Sequence, residues 1–375
     1  MKLIHLSDLH LGKRLNEFSL GEDQEYILNQ ILEIVEAERP DALLIAGDVY
    51  DKAIPSVEAV ALFDEFLVRL SGLRLHIFVI SGNHDSPERI AFASRLLDAS
   101  GIHLSPVYSG SVEPIRLEDD FGSVNFYLLP FVKPIHVRRF FPEEPADTYS
   151  QALATAVGHM QLDESQRNIL LTHQFVTGAS RSDSEEISVG GADNVDSAVF
   201  EAFDYVALGH LHRPQHCGSR KIRYCGTPLK YSFSEAGEEK SLTVVELKEK
   251  GSLSIRTLPL KPLHELVELR GSFEELTTKS ENTAWRDAYV HLTLTDEEDI
   301  PDAAAKLRLI YRGLMKLDYD NARTRSNAEI TGAQMQRSRS PLELFADFYE
   351  LQNNRPMTAE QLVFLEELIA RTEEA

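Results

Sequence analysis

The chain has 375 residues, enough for two or three domains and a large apolar core that needs no disulfide support. Hydrophobic residues make up 43% and charged residues 26%, which excludes wholesale disorder, a collagen-like repeat and a coiled coil. Its 38 basic and 60 acidic residues leave a formal charge of -22, the wrong sign for holding nucleic acid by bulk electrostatics, so a phosphate substrate has to be attracted locally.

The first third repeats one unit, a short apolar run of strand type, a polar cluster and a stretch of helical periodicity. Leu3 to Leu6, Ala42 to Ala46 and Ile77 to Ile80 are the strands. Ile27, Ile31, Ile34 and Val35 mark one helix, and Val57, Val60, Ala61, Leu67 and Leu70 another. Ser86-Pro87 is an N-cap with proline in the first helical position, predicting a third helix through Leu97. The repeat has the length of βαβ units and predicts a sheet with crossover helices. Asn125 to Leu129, Ile169 to Thr172 and Tyr205 to Gly209 follow as buried strands, and Leu242 to Leu247 and Ile255 to Leu260 as antiparallel closing strands. A boundary is expected at Pro259 to Pro262. Beyond it come strands at Leu266 to Leu269 and Tyr289 to Thr293 and a helix over Pro301 to Leu317, a small α+β domain. Ser340-Pro341-Leu342-Glu343 and Thr358-Ala359-Glu360-Gln361 are capping boxes that open two tail helices.

Asp8, His10, Asp48, Asn83, His173, His210 and His212 each stand at or just past the C-terminal end of a predicted strand, the edge where open α/β sheets place their sites. Residues two apart in extended chain face the same way, so Asp8 with His10, and His210 with His212, can each aim two ligands into one cleft. Imidazole, carboxylate and amide oxygen together suit Mn, Fe or Zn, and the absence of thiolate argues against structural zinc. Seven ligands exceed the need of one ion, and a carboxylate bridging two ions is the arrangement for in-line displacement at phosphorus, with Asp48 the natural bridge. His5, His76 and His103 read as packed or surface residues.

Asp-x-His, Gly-Asp-x-x-Asp, Gly-Asn-His-Asp, Thr-His and Gly-His-x-His, in this order and each after an apolar run, resemble the calcineurin-like metallophosphoesterase superfamily. The stretches Ile4 to Gly12, Gly47 to Asp51, Ser188 to Gly191, Asp204 to His212 and Tyr224 to Ser232 are similar to the SbcD family of bacterial nuclease subunits. That resemblance implies a metallophosphoesterase-type α/β sheet sandwich flanked by helices over residues 1–260, a capping and DNA-binding domain over 264–335, and partner-docking helices over 340–371. It implies that Asp8, His10, Asp48 and His212 hold one manganese ion, and that Asp48, Asn83, His173 and His210 hold a second. His84 would touch phosphate rather than metal, as a hydrogen-bond donor or a proton source for the leaving alkoxide. Where some archaeal and eukaryotic relatives carry a histidine three residues after the bridging aspartate, this chain has Asp51, which leaves it open to orienting a ligand histidine.

Lys13, Arg14, Arg89, Arg213, Arg220, Lys221, Arg223 and Lys230 lie near these loops and form a candidate phosphate track in an acidic protein. Two cysteines, Cys217 and Cys225, are too few for a disulfide framework, and neither a signal peptide nor a membrane span is read, so a cytoplasmic location is expected. The expected activity is a manganese-dependent DNA nuclease, exonuclease on duplex ends and endonuclease on single strands and hairpins, serving recombination, replication and repair. Its partner by resemblance is an SbcC-type coiled-coil ABC ATPase in a heterotetramer. ATP would bind that partner, since this chain has no Gly-x-x-x-x-Gly-Lys loop. A homodimer is expected from the resemblance and from the helices around Val57 to Leu70 and Arg89 to Leu97. The tail faces of Leu342, Phe345, Phe348, Tyr349, Leu351, Leu362, Leu365, Leu368 and Ile369 are broad enough to need covering. A small-substrate phosphoesterase and a noncatalytic scaffold of the same fold stay open as alternatives.

Overall fold

A computed structural model describes residues 1–180, 182, 183, 185, 194–279, 285–298, 300–321 and 324, and in the tail 342, 345, 346, 349, 357, 358, 361–365, 368 and 369. The chain opens as βαβαβ: β1 Lys2–Leu6, α1 Gly21–Glu38, β2 Ala42–Ala46, α2 Val57–Ser71 and β3 His76–Ile80. Two one-turn helices, α3 Pro87–Ile90 and α4 Ser94–Leu97, lead to β4 Ile102–Leu104, followed by β5 Ile115–Asp119, β6 Gly122–Leu129, α5 Pro134–Arg138, α6 Tyr149–Gly158 and β7 Arg167–His173. Then come β8 Tyr205–Gly209, β9 Gln215–Cys217, β10 Ser219–Tyr224, β11 Ser241–Leu247 and β12 Leu253–Pro259.

These strands make two six-stranded sheets, ordered β12-β11-β1-β2-β3-β4 and β9-β10-β8-β7-β6-β5. β1, β2, β3 and β4 are mutually parallel, as are β6, β7, β8 and β10, while β11 runs antiparallel to β1 and β12 antiparallel to β11. Period-two alternation sends one set of side chains between the sheets and the other outward. Leu3, Leu44, Phe78, Phe126, Ile169 and Tyr205 fill the space between the sheets, where the Phe78 and Phe126 rings stack at 4.3 Å. Ile4, Leu43, Ile45 and Ile77 meet Ile27, Ile31, Phe63 and Phe66 of α1 and α2. Leu170, Val206 and Leu208 meet Ala152, Leu153 and Ala156 of α6. Strands buried on both faces read as continuous apolar runs, which is why the sequence marks them so plainly.

A third sheet of parallel strands, β13 Leu266–Gly271, β14 Tyr289–Leu294 and β15 Gly313–Tyr319, carries α7 Phe273–Lys279 and α8 Ala303–Arg308 around its own core. It is tied to α1, where the buried Asp23 carboxylate accepts from His264 N and Nδ1 at 3.1 Å and from the Tyr289 hydroxyl at 2.7 Å. Among the described residues no helix is long and apolar enough to cross a membrane.

Two expectations are corrected. The helix through Leu97 breaks after Ile90 and restarts at Ser94, with Ala93 at φ 59°. Ile90 is buried but Phe92 and Leu96 are 79% exposed, so no apolar face is buried along it to sustain a longer helix. The helix over 301–317 stops at Arg308, and Gly313 starts strand β15, where any Cβ would collide with the carbonyl of Ala288, just ahead of the neighbouring strand. In the tail, Leu365 is buried, and Phe345, Val363, Phe364 and Leu368 are exposed. The Thr358 box forms as expected, with Thr358 N to Gln361 Oε1 at 2.9 Å and Gln361 N to Thr358 Oγ1 at 3.3 Å. Phe348, Leu351 and the Ser340-Pro341 cap lie outside the described residues.

Candidate metal centre

Because β1, β2 and β3 run parallel in one sheet and β7 and β8 in the other, their C-terminal ends share one edge of the sandwich. Asp8, His10, Asp48, Asn83, His84, His173, His210 and His212 all follow those strand ends, and all eight come together. Asp8, His10, Asp48, His173 and His212 are buried, with Asn83, His84 and His210 half-buried at the mouth.

The loops are interlocked before any side chain acts. Asp8 N donates to Gly47 O, His10 N to Asp48 O and Leu11 N to Val49 O, each at 2.9 Å, zipping the first ligand loop to the second. His173 Nδ1 bonds Ala46 O at 2.9 Å, crossing from one sheet to the other and turning Nε2 toward the centre. Nε2 stands 3.2 Å from Asp48 Oδ2 and 3.0 Å from Asn83 Oδ1, and His210 Nδ1 meets the same amide oxygen at 2.9 Å. On the other side His10 Nε2 is 3.8 Å from Asp48 Oδ2 and 3.2 Å from His212 Nε2. Asp48 therefore stands between two groups of imidazoles. Its Oδ1 is held by the His84 N–H at 2.9 Å.

The close approach explains the glycines of the motifs. At Gly47 a Cβ would collide with the His173 ring, at Gly82 with the Asp48 carboxylate and main chain, and at Gly209 with the Ala46 carbonyl.

The buried groups set one another's charge. Burial pushes the Asp8 carboxyl up, with the neighbouring Asp48 charge adding to it and His173 opposing. Burial acts the same way on Asp48, but His173 overrules it and holds that carboxyl well below its ordinary range. Burial would lower the His173 pKa, and the two carboxylates instead raise it to about 9. Burial keeps His10 well below the ordinary imidazole value. Three sets, Asp8 with His10 and His212, His10 with Asp48 and His84, and Asp8 with Asp48 and His173, each bring one ligand atom per residue within 4.8 Å of the others. Two buried carboxylates, an amide oxygen that receives two imidazoles, and facing ring nitrogens of His10 and His212 are the donor chemistry of a divalent metal centre without thiolate.

The supports behind this shell are the residues that sequence reading missed. Gln24 on α1 spans the first ligand loop, donating to His10 O at 2.7 Å and accepting from Gly12 N at 3.0 Å, and the Tyr231 hydroxyl bonds Leu9 O. Asp85 accepts from Val49, Tyr50 and Gly82 N at 3.1, 2.9 and 2.9 Å, clamping the second loop to the third. Glu185 accepts from His212 N at 2.6 Å. Glu235 lies between the His212 ring and Lys240, whose Nζ it meets at 2.6 Å. Burial alone would raise the Glu235 carboxyl, yet His212 and Lys240 bring it down to about 2. Tyr231 and Glu235 stand within or just beyond a recognisable motif, but only the fold reveals their partners. The Asp51 carboxylate pairs with Lys13 at 2.8 Å and stands 3.7 Å from His10 Nδ1, a buried nitrogen without a hydrogen-bond partner among the described residues. His84 Nδ1 meets the Asp51 carbonyl at 3.1 Å.

The phosphate track is mostly spoken for inside the chain. Lys13 pairs with Asp51, Arg213 with Glu238 and Lys230 with Glu265, Lys221 donates to Glu201 O, and Arg223 is buried against Thr243. Cys217 and Cys225 are both buried and free, and burial pushes their thiols up to about 11 and about 12. His5 is packed against the Tyr205 hydroxyl, and His76 and His103 stack at the far edge.

Residues 1–214 match the calcineurin-like phosphoesterase family, and residues 262–353 match a family described as the type 5 capsule protein repressor C-terminal domain. The D component of the SbcCD nuclease of Staphylococcus epidermidis is 36% identical over 337 residues, covering 88% of this chain and 89% of that protein. A solved dimetal phosphatase from Danio rerio aligns with 70% of this chain and 98% of its own at 12% identity and a TM-score of 0.44. More than half of the sequence matches the first family, and the relative is aligned over nearly all of both proteins. The chain belongs to the calcineurin-like phosphoesterase family, as a homologue of the D component of the SbcCD nuclease.

Proposed function

We propose that this chain is the manganese-dependent nuclease subunit of a complex with an SbcC-type coiled-coil ATPase. It hydrolyses DNA phosphodiester bonds as a duplex-end exonuclease and as an endonuclease on single strands and hairpins, in recombination, replication and repair. The observation that carries the reading is the convergence of all eight motif side chains on one edge of the sandwich.

Asp8, His10, Asp48 and His212 would hold one ion and Asp48, Asn83, His173 and His210 the other, with Asp48 shared. Its position between two groups of imidazoles supports that role. When bound, divalent ions supply Lewis-acid polarisation of a phosphoryl oxygen and ease the deprotonation of water. The chain supplies the rest. Glu235 and Glu185 fix His212 from its ring and its backbone, and the Ala46 carbonyl fixes the tautomer of His173. A carbonyl can only accept, so His84 Nδ1 donates to Asp51 O, and it is the imidazolium form, protonated on both nitrogens, that would give its Nε2 proton to the departing oxygen and return to the neutral ring.

ATP belongs to the partner, and the tail over 340–371, with Phe345 and Leu368 exposed, is its docking element. Residues 1–260 form the nuclease domain and 264–335 the capping, DNA-binding domain. Two copies pair through α2 and the α3–α4 segment, where Val57, Val60, Val68, Phe92 and Leu96 are exposed, giving a heterotetramer with two ATPase chains. The complex works in the cytoplasm.

The purified chain should degrade a linear duplex with Mn²⁺, more rapidly with the ATPase and ATP. Asp48→Ala should reduce cleavage of every substrate below detection and abolish Mn²⁺ binding by calorimetry. Near-normal activity in that variant overturns the two-ion assignment.

A further inference from the structure

Beside the metal centre lies a cavity of about 960 Å³, at the upper end of the size range of small-ligand sites. Phe131 forms part of its wall and meets the His173 ring edge-on at 6.3 Å, and Pro87 lines it three residues after His84. The remaining wall joins aromatic rings and two arginines to the aliphatic Val107 and Ile135 and to one acidic residue, Glu88. Tyr108 and Phe140 cross edge-to-face at 5.8 Å, Arg139 lies over the Phe140 ring at 5.8 Å, and Arg138, which donates to Ala146 O at 3.1 Å and pairs with Asp147 at 3.4 Å, stands beside them. Gly110 backs the Phe140 ring so closely that a Cβ would touch it, which fixes the plane of the ring. The Tyr108 hydroxyl is buried and has no hydrogen-bond partner among the described residues.

A ligand that suits this wall presents a flat π-face to the rings, a polar edge to the Tyr108 hydroxyl and negative charge to the arginines. An apolar ligand leaves the hydroxyl unpaired, and a free phosphate gains nothing from the aromatic rings. A nucleotide offers all three features, since every base has a stacking face and hydrogen-bonding edges and carries a phosphate on each side. We propose that this cavity takes one unpaired nucleobase of the strand being cut and so sets the position of the scissile phosphate at the metal centre. The proposal rests on the nuclease reading and adds to it a preference for unstacked bases at one fixed distance from the cut. Duplex DNA, with its bases stacked, gains nothing from the cavity.

The test is an abasic scan with the full chain and Mn²⁺. Single-stranded oligonucleotides carrying one abasic residue at successive positions are cleaved, and KM is measured for each. Loss of the base at one offset from the cut should raise KM about tenfold, the scale of one stacked base, and other offsets should have little effect. Phe140→Leu, which keeps apolar bulk without the π-face, should bind the intact strand about as weakly and lose the offset dependence. Tyr108→Phe removes only the unpaired hydroxyl, so it should melt no lower than the parent and still bind the strand severalfold more weakly. Failure of the parent to cut intact oligonucleotide overturns the nuclease reading itself. Cleavage that ignores the abasic residue at every offset overturns the pocket alone. So does a shift in sedimentation on Phe140→Glu without any change in KM, which would make the cavity a seat for a second copy of the chain.

Discussion

Asp8, His10, Asp48 and His210 all hold positive backbone angles, φ 53°, 45°, 48° and 103°. Such conformations cost a non-glycine residue on the order of 1–3 kcal/mol each, and the bonds from Asp8, His10 and Leu11 to the second loop hold them in place. The strain turns side chains two residues apart toward one point. Gly82→Ala should therefore be more damaging than its size suggests: the added methyl displaces Asp48, and calorimetry should show Mn²⁺ binding weakened at least tenfold while the melting transition stays cooperative. His84→Gln is expected to behave in the opposite way. With all seven ligands intact it should bind two ions yet lose on the order of a hundredfold in rate, since a proton donor is removed and no ligand is touched. Loss of metal binding in His84→Gln would place that ring among the ligands, beside His10, whose ring it approaches at 4.9 Å. The motif residues were legible because Asp, Asn and His recur in a fixed order after successive apolar strands, a combination that turn chemistry alone does not produce. Gln24, Glu185, Glu235 and Lys240 were not, because each acts through a partner distant in sequence and nothing local marks it.

Among elements, the strands that bear ligands were legible to within a residue or two because burial on both faces leaves an uninterrupted apolar run. Helices α1 and α2 were legible because one face is buried. The misread elements lie where packing overrides pattern: α3 and α4 have almost no buried face, and β15 is set by the close backbone approach at Gly313. Strands β5, β9 and β10 escape a sequence reading because they lie at or near the edges of their sheet. The tail separates a core role from a docking role. Of its described residues only Leu365 is buried; if the tail docks a partner, a chain ending near Arg337 should melt close to the parent, and a loss of several buried side chains' worth of stability would return the helices to the core. The shortened chain should keep Mn²⁺-dependent cleavage of single strands and fail to copurify with the ATPase. Phe345→Glu in the full chain is the sharper form, adding charge at an exposed site, and normal copurification of that variant would refute docking.

Across the whole molecule, α1 links the two folded units to the centre. Asp23 holds the third sheet through His264 and Tyr289, and the adjacent Gln24 holds the loop of His10. The exposed residues of α2 bear on assembly. If that face pairs two copies, Val57→Lys with Val68→Lys should leave the melting temperature nearly unchanged and convert a dimer to a monomer by sedimentation at micromolar concentration. Monomer in the parent under those conditions would count against pairing.

The order of strands in the first sheet matters before the molecule is finished. β1 lies between β2 and β11, with Ile4 beside Leu43 on one side and Val244 on the other, and the whole second sheet is encoded between them. On a ribosome adding about 5–20 residues per second, a nascent chain carries β1 with one edge unpaired throughout synthesis of the second sheet. The centre itself is incomplete until His212 has emerged. A half-made chain thus has an open strand edge and an unfinished centre, and the return of β11 closes the first only after His212 has joined the second.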